Sequence, residues 1–379
     1  MAIELRDVPS PCYVLEETQL YRNLEIMQRV QQEAGVEIIL ALKGFAMWST
    51  FPLIRQYLKG ATASSLNEAR LCVEEMGTAA HTYCVAYHPD EFMQILQFSS
   101  HVTFNSLSEY KRYRPHLSSY KGKVSCGIRI NPGYSDVSTD LYNPAAPGSR
   151  LGETETAFDG QLPEGLEGIH FHTLCESSSH SLERLLKSVE QRFGYLLTQI
   201  HWINMGGGHL MTREGYDIDH LIQLLRDFRS RYQVDIILEP GSAVAWDTGV
   251  LVATVLDIVE SHGIQTAILD VSFTAHMPDT LEMPYRPRVR GATDPIAGRP
   301  AYRLGGLSCL AGDYMTAYAF EQELQVGDQI IFEDMIHYTM VKTTMFNGVR
   351  HPSIAIYRSD GRLDVVRTFG YEDYKARLS

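Results

Sequence analysis

The stretch Val36-Glu37-Ile38-Ile39-Leu40-Ala41-Leu42-Lys43-Gly44 decides how the rest of the chain is read. A continuous apolar run of this length lacks the alternation of a half-exposed strand, and it predicts a parallel strand buried on both faces. Lys43 then stands at the tip of the strand, facing whatever the strand ends surround. Desolvation disfavours an ammonium there, lowers its pKa and makes the amine a nucleophile suited to Schiff-base chemistry. On this residue alone, a strand-end lysine reaching solvent is the reading to prefer, and the rest of the chain reverses that order.

Working outward, comparable runs recur near 61–64, 80–86, 101–105, 123–131, 166–174, 201–206 and 235–240. Amphipathic segments at 66–76, 89–98, 106–117, 181–200 and 217–232 separate them, with Pro89 and Ser106 as helix openers. Eight strands with intervening helices predict an α/β chain built on a (β/α)8 TIM-like barrel. An open doubly wound sheet is the competing architecture, but nothing in the pattern marks a reversal of strand order. After about residue 242 the pattern turns to β at 251–259, 266–271, 329–332 and 353–356. The expected division is a barrel over 10–241 and a β-rich domain over 242–379, joined by the N-terminal segment 1–9. Segment 132–164, rich in Gly, Pro, Ser and Asp, reads as a long loop with a capacity to move.

Composition bounds the function. The chain has 379 residues, 44% hydrophobic and 21% charged, which is ordinary for a globular protein of this size. Its formal net charge of -13, with no long basic run, argues against nucleic-acid binding. No apolar stretch reaches membrane-spanning length and the first residues do not read as a signal peptide, so a cytoplasmic protein without a membrane partner is expected. Cys12, Cys72, Cys84, Cys126, Cys175 and Cys309 are scattered, without C-x-x-C spacing, and read as reduced thiols.

In such a barrel, functional groups gather at the C-terminal ends of the strands. Those ends read Lys43, then Arg129-Ile130-Asn131-Pro132, His170-Phe171-His172, Gly206-Gly207-Gly208 and Glu239-Pro240-Gly241. The three glycines offer backbone N–H groups to a phosphate with no side chain in the way, although such glycines also serve as plain turns. Glu239 is a carboxylate in an apolar setting and needs a cation, for which a protonated pyridine nitrogen would serve. His170 and His172 also fit a metal site, with His209 near, but no convincing ligand set is completed. In the β-rich part, Gly306-Leu307-Ser308-Cys309-Leu310-Ala311-Gly312-Asp313 reads either as a tight turn with a buried cysteine or as part of a site. Tyr338 could bond a phosphate or simply pack.

Together, and in this order, these features resemble the fold-type III pyridoxal-phosphate enzymes, which include alanine racemase and the barrel-type basic amino acid decarboxylases. The resemblance implies pyridoxal 5'-phosphate as cofactor. It implies Lys43 as the lysine that carries it, His172 against its ring, Gly206, Gly207, Gly208 and Gly241 near its phosphate, and Glu239 at its pyridine nitrogen. Tyr338 matches a tyrosine at the phosphate and substrate. Cys309 and Asp313 match a Cys and Asp motif that the second subunit of a homodimer lends to the active site. Cys309 is then the expected proton donor after decarboxylation, with Lys43 as its rival.

Within that group the chain looks most like the carboxynorspermidine decarboxylases. The stretches Ala41-Leu42-Lys43-Gly44-Phe45, His170-Phe171-His172-Thr173-Leu174-Cys175-Glu176, Asn204-Met205-Gly206-Gly207-Gly208-His209 and His276-Met277-Pro278-Asp279 with Glu282-Met283-Pro284-Tyr285-Arg286-Pro287 carry that likeness. It implies decarboxylation of carboxynorspermidine or carboxyspermidine in polyamine biosynthesis, with Asp279, Glu282 and Asp313 as the carboxylates for the substrate's distal ammonium groups. One departure stands out. Ornithine and diaminopimelate decarboxylases carry an arginine just after Glu-Pro-Gly, where this chain has Ser242. The rivals are a decarboxylase acting on diaminopimelate or a basic amino acid, and a non-catalytic homologue.

Overall fold

Segment 36–44 completes a ring of strands. The computed structural model describes residues 5, 7–137, 142–283 and 285–379. In it this segment forms two short pieces, Glu37–Ile38 and Leu40–Ala41, parted at Ile39. The first piece pairs in parallel with Asp235–Leu238 and the second in parallel with Ala61–Ala63. Backbone bonds go to the two neighbours in turn. Ile39 N–H donates to Leu238 O at 3.0 Å, Leu40 to Gly60 at 2.9 Å, Ala41 to Pro240 at 3.0 Å and Leu42 to Thr62 at 3.2 Å. Each amide of this buried segment is thereby satisfied, a requirement of a strand shut away from water.

Between those neighbours lie Ala80–Tyr83, Ser99–Phe104, Ser125–Arg129, Gly168–His170 and Trp202–Asn204, all paired in parallel and in sequence order. This is the (β/α)8 barrel expected from the sequence. Its packing explains two glycines inside strands. A Cβ on Gly127 or Gly168 would come within 2.3 or 2.1 Å of the Trp202 ring, which packs with Ile39 and Ile237.

The helices start where their caps dictate. Ser106 accepts from Glu109 N–H and opens Leu107–Ser119, and Ser178 accepts from Ser181 N–H and opens Ser179–Leu197. The latter buries Leu182, Leu185, Leu186, Val189, Phe193 and Leu196 at helical spacing. Each such side chain contributes roughly 1.5–3 kcal/mol of transfer free energy. The helix expected over 66–76 is α-helical only for Leu66–Leu71, and Cys72–Met76 continues as a wider π turn that ends on left-handed Gly77.

The chain divides into two compact units, 23–244 and a second made of the residues up to 22 with 245–379. The N-terminal contribution thus runs through Arg22, past the boundary at 9 read from the sequence. The reason is the strand Cys12–Glu16, which is central to the second unit's sheet. It pairs antiparallel with Gly249–Ser261 and parallel with Ser353–Tyr357. The sheet continues through Ile264–Leu269, Ala301–Gly305 and Tyr314–Ala319 on one side and Leu363–Arg367 on the other, while Gln329–Glu333 also pairs with Gly249–Ser261. Leu5, Val8, Cys12, Val14, Val250, Val252 and Ala355 form its core cluster.

Of the loop 132–164, residues 138–141 lie outside the described residues, as do residues 1–4 and 6 of the N-terminal segment. Among the described residues, no helix is long and apolar enough to cross a membrane.

Candidate active site

Parallel strands deliver their C-terminal ends to one face of a barrel, and the polar residues of the first unit gather there. Lys43 lies two residues beyond Leu40–Ala41, His172 two beyond Gly168–His170, Gly206 two beyond Trp202–Asn204, and Glu239 follows Asp235–Leu238 directly. Lys43 Nζ is 3.4 Å from His172 Nε2. Gly207 N–H donates to His172 Nδ1 at 2.8 Å, so the neutral imidazole carries its proton on Nε2, toward Lys43. Neither ring nitrogen is then left for a metal ion.

The charge balance favours neutral forms. The Lys43 side chain keeps an exposed surface, yet protein surrounds the amine on its other sides. That desolvation lowers its pKa, opposed by Glu239 and reinforced by Arg129. The His172 imidazole is held well below its ordinary value by burial, then by Lys43 and Arg129. Arg129 is itself buried. It donates to His172 O at 3.0 Å and lies over the Tyr83 ring, 4.8 Å from its centroid.

Glu239 is buried to 8% exposure, and burial raises its pKa against the pull of Asn204, Lys43, Thr62 and Arg129. One side chain ties it in place. Asn204 Nδ2 donates to Glu239 Oε1 at 2.6 Å, while Asn204 Oδ1 accepts from Gly206 N–H at 2.8 Å. The imidazole of His170 lies 3.8 Å from the other carboxylate oxygen.

The glycine triplet is a cradle no larger side chain could occupy. Gly206 is left-handed at φ 67°, and a Cβ there would lie 2.5 Å from Phe171 O. A Cβ on Gly207 would lie 2.3 Å from Glu239 O. Two of the three amides are already committed within the chain, Gly206 to Asn204 and Gly207 to His172. An anion at this loop therefore relies on Gly208 N–H and on the neighbouring turn at Gly241 and Ser242, where the helical turn Ser242–Ala245 begins. Gly241 and Gly44 pack back to back, so that a Cβ on Gly44 would meet Gly241 Cα at 2.9 Å.

The remaining residues singled out in the sequence lie in the second unit. Cys309 is exposed, and its N–H donates to Asn347 Oδ1 at 2.9 Å. Asp313 is buried, with both oxygens taken by backbone amides. Oδ1 accepts from Phe273 at 2.7 Å and Thr274 at 3.1 Å, and Oδ2 accepts from Ser308 at 3.0 Å. Its contacts shape the loop that carries Cys309 and leave little of the carboxylate for a ligand. Asp279 and Glu282, at the two ends of one short helix, both grip the Lys342 ammonium. Tyr338 is half-buried and opens the helix Tyr338–Val341.

Three contributors were not singled out from the sequence. Asn204 could have been noticed as a side-chain acceptor two residues before a glycine, the spacing of an Asx turn. Thr62 and Lys342 leave no local signal, because their partners lie far along the chain.

Residues 12–336 match the family model described as pyridoxal-dependent decarboxylase, C-terminal sheet domain. Over 375 residues the chain is 55% identical to a carboxyaminopropylagmatine decarboxylase of Synechocystis, covering 99% of this chain and 96% of that one. It is 42% identical over 381 residues to a carboxynorspermidine/carboxyspermidine decarboxylase of Campylobacter jejuni, covering 98% of each. The crystal structure of carboxynorspermidine decarboxylase from Campylobacter jejuni complexed with norspermidine superposes with a TM-score of 0.91, at 41% identity, over 98% of this chain and 100% of that one. A family match over most of the chain and identities of this size over nearly its full length lead to one conclusion: the chain belongs to the pyridoxal-dependent decarboxylases.

Proposed function

We propose that this chain decarboxylates a carboxylated aminopropyl polyamine, with pyridoxal 5'-phosphate held at the barrel face described above. The observation that carries the reading is the set Lys43, His172 and Glu239, with a desolvated amine 3.4 Å from a neutral imidazole and a buried carboxylate fixed by Asn204. These groups suit the cofactor. The Lys43 amine is poised as a nucleophile, Glu239 is a buried carboxylate suited to a cation, and Gly208 with the Gly241–Ser242 turn would meet the phosphate.

When bound, the cofactor supplies a protonated pyridine ring that draws electrons from the carbon losing carbon dioxide. The chain's own residues do the rest. Glu239 keeps a proton on the ring nitrogen, and Asn204 keeps Glu239 ionised by donating to it. His172 packs against the ring, with Gly207 N–H setting its tautomer. Gly208, Gly241 and Ser242 meet the phosphate with backbone and hydroxyl donors, with Tyr338 as a further donor. Cys309 delivers the proton that replaces the lost carboxylate, with Lys43 as the alternative donor.

Carboxynorspermidine, carboxyspermidine and carboxyaminopropylagmatine share the reacting aminopropyl end. They differ at the far end, an ammonium in the first two and a guanidinium in the third. Asp279 and Glu282 are the carboxylates we assign to that far cation, which would exchange with Lys342 or lie beside it. The higher identity to the Synechocystis relative favours the guanidinium as a second reading. The enzyme acts as a homodimer with shared sites. In support, the Cys309 loop and its surroundings expose Leu307, Leu310, Tyr314 and Phe346, an apolar set that a second copy would cover. All six cysteines are free, in keeping with work in a reducing cytoplasm.

The test is carbon dioxide release by the cofactor-loaded protein from these three compounds, diaminopimelate and ornithine, side by side. Turnover confined to the carboxypolyamines supports the reading and ranks the far ends. Turnover of diaminopimelate alone, or of none, refutes it.

A further inference from the structure

On the outer helical layer of the barrel unit, the helices Ser179–Leu197 and Ile218–Tyr232 bring two imidazoles and a carboxylate together. We propose that His180, Glu183 and His220 form a binding site for a divalent transition-metal ion of the zinc class. His180 and Glu183 stand three residues apart on the first of these helices, so they share a face. His220 comes from the first turn of the second helix. The two imidazole rings stack with centroids 4.2 Å apart and planes at 30°. His220 Nε2 lies 3.5 Å from Glu183 Oε2, and one donor atom from each residue lies within 4.8 Å of the others.

Those separations are near what an ion needs. Zinc bonds of about 2.0–2.2 Å in tetrahedral array place donor atoms roughly 3.4 Å apart. The His220–Glu183 edge already has that length. His180 closes the set by a small rotation, which its exposed position allows. The surroundings prepare the ligand as well. Ser179 Oγ lies 3.0 Å from His220 Nδ1, and with Nδ1–H donating to that hydroxyl the Nε2 lone pair faces Glu183. A partner on the second nitrogen is how metal-bound imidazoles are commonly oriented. Two imidazoles and one carboxylate suit zinc, nickel or copper rather than calcium or magnesium, and they leave a fourth position for water.

Two features limit the affinity. Lys187 Nζ binds Glu183 Oε1 at 2.7 Å and competes for the carboxylate. The N-terminal ends of both helices, where the helix dipoles are positive, also disfavour a cation. Micromolar rather than structural-zinc affinity follows.

Cobalt(II) replacing zinc reports the site directly. The holoenzyme is titrated with cobalt(II) and then with zinc. The expected result is one equivalent bound in tetrahedral form, with visible d–d absorption and no near-ultraviolet thiolate band, displaced by zinc. The missing thiolate band separates this site from the thiols of Cys309 and Cys175. His220→Ala and His180→Ala weaken binding by roughly tenfold or more, and Lys187→Ala tightens it. Carbon dioxide release by these variants stays at the wild-type rate, which shows that the fold is intact. Equal binding by His220→Ala and wild type, or no saturable uptake at millimolar metal, overturns the proposal.

Discussion

Asn204 is the residue on which the coupling between the buried carboxylate and the glycine loop depends. Its amide joins two parts of the site at once, donating to Glu239 at 2.6 Å and accepting from Gly206 N–H at 2.8 Å. In Asn204→Ala the buried carboxylate loses a hydrogen bond worth about 1.5–3 kcal/mol to a charged acceptor. That loss lifts an already raised Glu239 pKa further. The ionised form needed to hold a pyridine proton becomes scarcer, and Gly206 N–H loses its acceptor. Cofactor affinity should fall by about 10- to 100-fold, the same free energy expressed as an equilibrium constant.

The assay is equilibrium titration of the apo-protein with pyridoxal phosphate, followed by the absorbance of the bound cofactor and repeated across pH. Asn204→Asp sharpens the test. A carboxylic acid there can share one proton with Glu239 and restore the donor, but it loses that proton as pH rises. Its cofactor affinity should approach wild type on the acid side and collapse on the alkaline side. Wild-type affinity in Asn204→Ala, or an Asn204→Asp titration parallel to wild type at every pH, would refute the coupling.

Four further outcomes follow from the same geometry. Gly206→Ala places a Cβ 2.5 Å from Phe171 O at φ 67°, so thermal unfolding should show a loss of more than about 2 kcal/mol, and an unchanged midpoint would refute the cradle. Burial holds His209 down to about 4, below its unfolded value near 6.5, so the unfolded chain takes up the proton first. Stability is untouched above about pH 6.5 and falls as pH drops toward about 4, by about 2 kcal/mol at about pH 5. His209→Gln should remove that part of the loss in urea unfolding at about pH 7 and about pH 5, and an undiminished loss counts against it. Lys43→Ala and Cys309→Ala subunits, each inactive, should regain activity when mixed, since a heterodimer holds one intact shared site; no recovery after verified exchange would mean that each chain builds its own site. Asp279→Ala should raise KM by about tenfold with cofactor binding intact, the loss of one charge-assisted contact, and unchanged kinetics would remove it from the substrate site.

What could be read from the sequence, and what could not, divides along the range of the interactions. Parallel strands buried on both faces must be apolar throughout, so the barrel declares itself as runs, and the residue ending each run is automatically a rim residue. Lys43, His172, Gly206 and Glu239 are legible as rim residues for that reason alone. The second unit was legible as β but not in its membership. Cys12–Glu16 bonds to strands that begin at Gly249 and Ser353, and nothing in five apolar-rich residues announces partners so distant. The same holds at the level of side chains. Asp313 looks like a ligand because it is a carboxylate beside a cysteine, yet three backbone amides consume it. Asp279 and Glu282 look like a pair awaiting a cation, and Lys342, some sixty residues on in sequence, already answers them.

A carboxylate's type can be read from its letter, but its free valence depends on what the fold has already aimed at it. Glu239 shows the point from the other side. Burial raises its pKa against the pull of Asn204, Lys43, Thr62 and Arg129, while His170, 3.8 Å away, is itself held neutral by burial. Unlike Asp279 and Glu282, which an ammonium grips, it draws on Lys43 and Arg129 only through their charge, and burial outweighs that pull.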